Sequence, residues 1–255
     1  MAIQYAARRA QFRSLHREGC FIIPNPWDIG GARRLEKLGF KALATTGAGY
    51  AWSMGREDGQ LSLEDALGHL RMLCSATDLP VNADFETGYS DSPDGIFDNV
   101  LMAIETGVAG LSIEDRRGRD LVEFPVAVER IRAARRAIDH SDQDVLLIGR
   151  SEGHFLGKPD LEATIGRLVA YSEAGADCLF APGVNDLTDI ARIVAAVRPK
   201  PVNVMITGPS PLVSDLAAIG VRRVSVGGSL AVAAWRGFEA SAKMLLAEGK
   251  LPPRQ

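Results

Sequence analysis

Cysteine is scarce in this sequence, and its placement argues against a disulfide framework. The three cysteines, Cys20, Cys74 and Cys178, are an odd number, lie far apart and stand in apolar surroundings. This pattern is typical of reduced thiols in the core of a cytoplasmic protein. Residues 1–19 are charged and contain no apolar signal core, so the sequence predicts no secretion.

A long basic stretch is also missing. Arginines occur in short groups at residues 33–34, 116–119, 135–136 and 222–223, which are scattered among acidic residues, and the formal net charge is −3. We interpret these groups as solvated faces, which predicts no nucleic-acid partner. We expect no membrane partner either.

Length and composition fit one globular domain. The 255 residues are 46% hydrophobic and 24% charged, an ordinary profile that can bury a full core. The length matches the roughly 250 residues usual for one eight-stranded barrel. We therefore expect residues 1–255 to form a single domain.

Eight apolar segments alternate with helical patterns, which predicts an α/β fold, a closed parallel (β/α)8 barrel. The alternative is a doubly wound open sheet, but no Gly-x-Gly-x-x-Gly fingerprint follows the first strand to favour it. We also expect a helix over residues 2–17 and a long loop over 46–61. The predicted strands are residues 21–24, 41–45, 81–84, 109–113, 145–149, 177–180, 202–205 and 223–226.

Two neighbouring predicted strands end on acidic residues. Asp84 and Glu86 follow one apolar run, and Glu114 and Asp115 follow the next. If these strands are parallel neighbours, their carboxylates converge, and their repulsion raises their pKa values unless a cation neutralises them. Oxygen ligands without clustered histidine or cysteine favour magnesium or manganese. The alternative is that these are solvated acids that hold nothing.

Other strand ends carry groups suited to binding an anion. Arg150 follows a predicted strand, and its planar guanidinium suits a substrate carboxylate or phosphonate. Its alternative role is a salt bridge to Glu114 or Glu152. Asn203 lies on a later strand and is predicted to face the same mouth, where it would bind substrate.

A glycine follows the second predicted strand. Gly47 permits close backbone approach, so the amides of Thr46, Gly47 and Ala48 are candidates for holding an anion. The alternative is a simple loop turn.

Several motifs together resemble the isocitrate lyase and phosphoenolpyruvate mutase superfamily over nearly the whole chain. Singly none is specific, but as a set they are. They are Asn25-Pro26-Trp27-Asp28, Thr46-Gly47-Ala48 with Asp58, Asp84-Phe85-Glu86-Thr87-Gly88-Tyr89, Ser112-Ile113-Glu114-Asp115, Arg150-Ser151-Glu152, Ala174-Gly175-Ala176-Asp177 and Gly220-Val221-Arg222-Arg223-Val224-Ser225.

This resemblance implies a magnesium-dependent enzyme acting on 2-oxo acids. It implies that Asp84 binds the ion directly and that Glu86 and Glu114 bind it largely through water. It also implies that the amides of residues 46–48 hold a substrate carboxylate and that Arg150 steadies the distal group. We predict catalytic roles for Asp58, Glu114 and Arg150.

The loop at residues 115–120 departs from this family. The lyases carry Lys-x-Cys-Gly-His there, and the cysteine acts as an acid, whereas this loop is short and contains neither cysteine nor histidine. The Asn-bearing loop of the phosphonate mutases is missing as well. Cleavage of isocitrate or methylisocitrate by that route is therefore not predicted. His154 follows a predicted strand, and without an oriented partner we interpret it as a polar loop residue.

The first hypothesis is thus a lyase or decarboxylase that acts through a pyruvate enolate on a small 2-oxo acid or substituted malate. The alternatives are a phosphonopyruvate hydrolase or phosphoenolpyruvate mutase, and a barrel that binds a dicarboxylate without turnover. The resemblance implies a homotetramer in which the final helix is exchanged between subunits. That helix has a broad apolar face formed by Leu230, Ala233, Ala234, Gly237, Phe238 and Leu245, with Trp235 beside it.

Overall fold

Among residues 2–253, which the computed structural model describes, eight parallel strands form one sheet that curls into a nearly closed barrel. The predicted (β/α)8 architecture is confirmed. The single domain over residues 1–255 stays a prediction, and Met1, Arg254 and Gln255 lie outside the described residues. The barrel strands, in chain order, are β1 (Phe21–Ile23), β2 (Leu43–Ala44), β3 (Val81–Asp84), β4 (Gly110–Glu114), β7 (Leu146–Arg150), β8 (Cys178–Phe180), β9 (Val202–Met205) and β10 (Arg223–Ser225).

Helices cover the outside of this sheet. Their starts follow the expected capping chemistry: Asp28 accepts a hydrogen bond from the amide of Gly31, and Ser62 forms a capping box with Asp65. The helices are α1 (Ala2–Leu15), α2 (Ile29–Lys37), α3 (Gly47–Ser53), α4 (Leu63–Ala76), α5 (Pro93–Glu105), α6 (Phe124–Ser141), α7 (Leu161–Glu173), α8 (Leu187–Ala196), α9 (Val213–Ala218) and α10 (Ser229–Glu248).

Strands β1 and β2 meet where the barrel closes. The amide of Ala44 donates to the carbonyl of Pro24 at 3.0 Å. Next to this bond, the side-chain amide of Asn25 donates to Thr45 O at 2.8 Å, and its oxygen accepts from the amides of Val226 and Gly227, each at 3.0 Å. One buried asparagine therefore ties together the ends of β1, β2 and β10, which explains why a polar residue follows the first strand.

Two segments predicted as loops contain regular structure. The loop expected over residues 46–61 begins with α3, because Thr46 caps the helix by accepting from the amide of Gly49. The loop after β4 forms a short antiparallel hairpin of β5 (Arg116–Arg117) and β6 (Asp120–Leu121), turning at Gly118 with φ +60°. Both elements are too short for the hydrophobic periodicity of the sequence to reveal them.

The solvated-face interpretation is wrong for two arginines. Arg223 is 3% exposed because it begins β10 with its side chain inside the barrel. The side chain of Arg116 is 17% exposed because the hairpin folds it back toward Glu114. A local run of charges does not show which of its members the tertiary structure encloses.

Helix α1 closes the N-terminal end of the barrel. Phe12 is fully buried and packs with Ile23 and Leu146 in one apolar cluster. Gly110 makes this packing possible, because a Cβ there would lie 2.7 Å from the Phe12 ring and 3.2 Å from the carbonyl of Leu146. Burial of the cysteines fits the sequence prediction, since Cys74 and Cys178 are buried, Cys20 is half-buried and all are free thiols.

Helix α10 projects from the barrel. Among the described residues of this helix only Ala231 is buried, whereas Phe238 is 65% exposed and Leu246 is 90% exposed. The helix therefore does not cover its own barrel wall. Within residues 2–253, none of the helices is both long and apolar enough to cross a membrane.

We expect Gly110→Ala to destabilise the protein by about 1–3 kcal/mol, because the added methyl group overpacks the barrel floor. The matched control is Gly68→Ala, an exposed helical position with no atom within 4 Å of the new Cβ. This control should gain about 0.5–1 kcal/mol from helix propensity. Urea unfolding of the two variants measures both effects, and equal stability of Gly110→Ala and the parent would show that the floor has room.

Candidate active site

A small polar cavity opens at the carboxyl ends of the barrel strands. Its volume is about 100 Å³, and it is the place where (β/α)8 barrels carry their active sites. Nearly all predicted site residues line it. These are Thr46, Ala48, Asp58, Asp84, Glu86, Glu114, Arg150 and Asn203.

Strands β3 and β4 are parallel neighbours, as the acidic strand ends predicted. Their carboxylates meet at one guanidinium. Arg150 Nη1 lies 3.1 Å from Asp84 Oδ1 and 3.4 Å from Glu114 Oε2. Burial raises the pKa of Glu114, and the attraction of Arg150 opposes this shift. The cation that holds the two strand ends together in this structure is therefore Arg150.

Arg150 is held from a second side by Glu152. Its Nε donates to the Glu152 carboxylate, which is fully buried, and its guanidinium carbon lies 5.4 Å from the centre of the Phe180 ring. Burial lowers the pKa of Arg150, but the surrounding carboxylates outweigh this and raise it well above the usual value. The salt-bridge role predicted as an alternative is thus present, and contact with a substrate stays a prediction.

Asp115 was expected to join the carboxylates at the mouth, and this expectation is wrong. Its side chain turns away from the cavity and accepts from Tyr171 Oη at 2.6 Å, Arg167 Nη1 at 3.2 Å and the amide of Glu152 at 2.8 Å. Side chains alternate across a strand, so successive acids at a strand end point in opposite directions. Asp115 therefore orients the segment that carries Glu152.

Glu86 is a partly buried carboxylate that lines the cavity. Its Oε1 is buried and has no hydrogen-bond partner among the described residues. Burial raises its pKa to about 7, with repulsion from Asp84 and Asp58 adding to the shift. Its backbone adopts φ +45°, a left-handed conformation that costs a residue with a side chain free energy and is typical of functional sites.

The segment 46–48 lies beside these acids. The Gly47 amide donates to Asp84 Oδ2 at 3.3 Å, and a Cβ on Gly47 would lie 2.9 Å from Glu86 Oε1. A side chain at position 47 would therefore push the Glu86 carboxylate aside. Thr46 and Ala48 line the cavity, whereas Gly47 lies behind it against the carboxylates.

The two remaining predicted residues lie at opposite ends of the cavity. The Asp58 carboxylate is 43% exposed at the rim, 3.9 Å from Arg116 Nη2. Asn203 is 1% exposed on the floor, where its side chain contacts Arg223 and Ser225. His154 is absent from the cavity lining and lies 3.2 Å from the Thr164 hydroxyl, in agreement with its interpretation as a loop residue.

Sequence reasoning missed two arginines of this cavity. Arg116 Nε lies 2.6 Å from Glu114 Oε1, at ion-pair distance although the two groups are not aligned for a hydrogen bond. Arg223 reaches the floor from the start of β10. The apolar alternation around Arg223, with Val221 and Val224 beside it, was an available signal that this position lies on a buried strand.

The donor set of the cavity fits a hard divalent cation. Asp84, Glu86 and Glu114 supply only oxygen atoms, and two of these atoms, Glu86 Oε1 and Glu114 Oε1, are buried without a hydrogen-bond partner among the described residues. Across the described chain, no three acidic, histidine or cysteine side chains surround one common point. The assignment of Asp84 as the direct ligand, with Glu86 and Glu114 acting through water, stays a prediction.

The fold and the site are those of a (β/α)8 barrel enzyme whose active-site cavity is lined with carboxylates. Residues 12–246 match the family of phosphoenolpyruvate phosphomutase. The chain belongs to this family, part of the phosphoenolpyruvate mutase and isocitrate lyase superfamily, as the motifs predicted.

Three relatives illustrate the similarity. A crystal structure of a lyase or mutase from Burkholderia cenocepacia J2315 shares 44% identity at a TM-score of 0.94, covering 97% of this chain and 91% of its own. The 2-methylisocitrate lyase of Escherichia coli K12 is 32% identical over 206 residues, which are 74% of this chain and 68% of the lyase. Oxaloacetate acetylhydrolase bound to its product oxalate shares 28% identity at a TM-score of 0.89, covering 98% of this chain and 90% of its own.

The raised pKa of Glu86 predicts a pH dependence of stability in the metal-free protein. Between the unfolded value of about 4.3 and the folded value of about 7, the folded protein binds a proton that the unfolded chain does not. Stability is therefore greatest below this window and falls as the pH rises through it.

Thermal melts in a chelator, between about pH 5 and pH 8, measure this effect. The melting temperature of the parent should fall more steeply than that of Glu86→Gln, which cannot ionise. Glu57→Gln, an exposed change one residue before Asp58, should keep the parental slope. Parallel curves for the parent and Glu86→Gln would contradict the prediction.

Proposed function

We propose that this protein is a metal-dependent lyase or decarboxylase acting on a small 2-oxo acid or substituted malate. The observation that carries the proposal is the meeting of Asp84, Glu86 and Glu114 at one small cavity, with a buried Glu86 oxygen unpaired among the described residues. The names of the relatives, a 2-methylisocitrate lyase and an oxaloacetate acetylhydrolase, support substrates of this class.

The charge of the cavity supports a bound cation. Carboxylates outnumber the guanidinium groups of Arg116 and Arg150 at the mouth, so ionising all of them leaves an excess of negative charge. A divalent ion removes that excess and also permits an anionic substrate to approach. We assign Asp84 as its direct ligand and Glu86 and Glu114 as ligands through water. Magnesium, or manganese in its place, would supply Lewis-acid stabilisation of negative charge on a 2-oxo oxygen.

The chain's own residues then position the substrate. The backbone at residues 46–48 receives the carboxylate next to the oxo group, because Thr46 and Ala48 line the cavity beside Asp84. Arg150 keeps Asp84 and Glu114 in place and offers its guanidinium to the substrate. Asp58 lies at the rim, where a proton can be exchanged with solvent, and is our candidate acid or base.

The hairpin of β5 and β6 favours a reaction that needs no acidic cysteine or histidine in this loop. It occupies the position of the mobile loop that carries an acidic cysteine in the lyases this sequence resembles, and it contains neither cysteine nor histidine. Loss of carbon dioxide needs no acid to protonate the leaving group. Decarboxylation of oxaloacetate is therefore the first reaction to assay, followed by cleavage of substituted malates.

We expect Asp84→Ala to abolish turnover, because the variant loses the direct metal ligand while keeping its fold. The control is Asp120→Ala, which removes an exposed carboxylate from the hairpin, paired there with Lys158. Calorimetry with magnesium and oxalate should show binding to the parent and the control but not to Asp84→Ala. Equally tight binding by Asp84→Ala would mean that the metal site is elsewhere.

Activity assays on the parent protein separate the alternative functions. Turnover of phosphonopyruvate but not of oxaloacetate or malates would replace the proposal with phosphorus-carbon chemistry. Binding of oxalate without turnover, and without magnesium-dependent proton exchange at C3 of pyruvate, would identify a non-catalytic dicarboxylate-binding barrel.

We also propose a homotetramer in which α10 packs across a neighbouring subunit. The exposed apolar residues Trp235, Phe238 and Leu246 support this, because leaving so large an apolar face in water is unfavourable. A cytoplasmic location is part of the proposal and is supported by the three free thiols.

Light scattering at micromolar protein tests the assembly. We expect a mass near four times the 27.4 kDa chain for the parent and for the control Lys243→Ala. Phe238→Asp should dissociate the assembly by placing a charge in the buried interface. A parent mass near one chain would refute the proposal.

A further inference from the structure

Arg223 is a buried cation at the floor of the active-site cavity. It is 3% exposed, although its side chain lines the same cavity as Asp84 and Arg150. Its Nε donates to Asn203 Oδ1 at 2.8 Å, and its Nη1 lies 3.4 Å from Asn82 Oδ1.

Among the described residues, the charge of this side chain has no counter-ion. Both groups that hold the guanidinium are neutral amides, and within the described chain no carboxylate lies at ion-pair distance from it. Arg150, by contrast, contacts three carboxylates. An isolated buried charge is costly, and buried charges in proteins are normally paired with an opposite charge.

The position of Arg223 below the mouth of the cavity leaves room for an anionic group of a ligand to act as its counter-ion. Asn82 precedes Asp84 by two residues on β3, so the guanidinium lies about 6–7 Å below the metal-binding end of the cavity. The wall between these levels is polar and includes Ser112 and Ser225. A short molecule with an anionic group at each end spans this depth.

We propose that Arg223 binds the distal carboxylate of a dicarboxylate substrate. This inference rests on the proposed function, because the other end of the same molecule, the 2-oxo acid end, lies at Asp84. Arg223 is then the residue that selects dicarboxylates over monocarboxylates. Asn82 and Asn203 hold its guanidinium in place without neutralising it, which leaves its charge available to the substrate.

A purely structural role would also place an arginine inside the barrel, since barrel interiors are filled by layers of side chains. That role predicts a loss of stability on substitution but no preference between ligands. The two roles are therefore separated by comparing ligands with and without a distal carboxylate on the same variants.

The experiment is calorimetry in the presence of magnesium with two probes, oxalate and 3,3-difluorooxaloacetate. Oxalate occupies the metal end alone, whereas difluorooxaloacetate adds a distal carboxylate. The variants are Arg223→Met, which keeps the length of the stem, and Arg223→Lys, which keeps the charge. The control is Arg222→Met, whose guanidinium contacts Gly19 O at 3.1 Å outside the cavity.

We expect Arg223→Met to weaken the binding of difluorooxaloacetate about tenfold or more and to leave the binding of oxalate unchanged. Arg223→Lys should lose less, and Arg222→Met should match the parent for both probes. Equal losses on both probes, or no loss on either, would overturn the inference while the proposed function stands. If Arg223→Met does not fold, the same comparison on Arg223→Lys decides between these outcomes. A parent that binds neither probe would show that the proposed function is wrong, and the inference would fall with it.

Discussion

The active-site end of this barrel depends on the pairing of Arg150 with Asp84, Glu114 and Glu152. Three carboxylates held close together in a buried place repel one another, and one guanidinium offsets this repulsion where β3, β4 and β7 end side by side. Arg150 does not contact the neighbouring Glu86. The unpaired oxygen and raised pKa of Glu86 show that the negative charge of the carboxylates is not fully offset at this position. The proposed metal ion would offset the remaining charge.

Charge is distributed along the depth of the cavity. Acidic groups dominate at the mouth, where Arg116 and Arg150 are paired with carboxylates. The floor is neutral and polar apart from Arg223. Such a gradient suits a substrate whose one end is held by a cation among acids and whose other end meets a bare guanidinium.

Much of the site was predictable because it lies at strand ends. Asp84, Glu86, Glu114 and Arg150 were identified as candidates because each follows an apolar segment, and the parallel barrel brings them together. The family motifs added the roles. Asp115 was assigned to the wrong side because its direction depends on the pleat at the end of β4, which a spacing of one residue does not reveal.

The sequence by itself determined the alternation of strands and helices, the glycines and caps that end them, and the acids that follow them, because these depend on residues close together in the chain. Only the tertiary structure decided that Arg223 is enclosed, that Arg116 folds back on Glu114, and that α10 leaves its own barrel uncovered. These outcomes depend on closure of the barrel, because closure brings residues that are far apart in sequence within hydrogen-bond distance. No local sequence pattern shows which of several similar arginines then contacts an amide, a carboxylate or water.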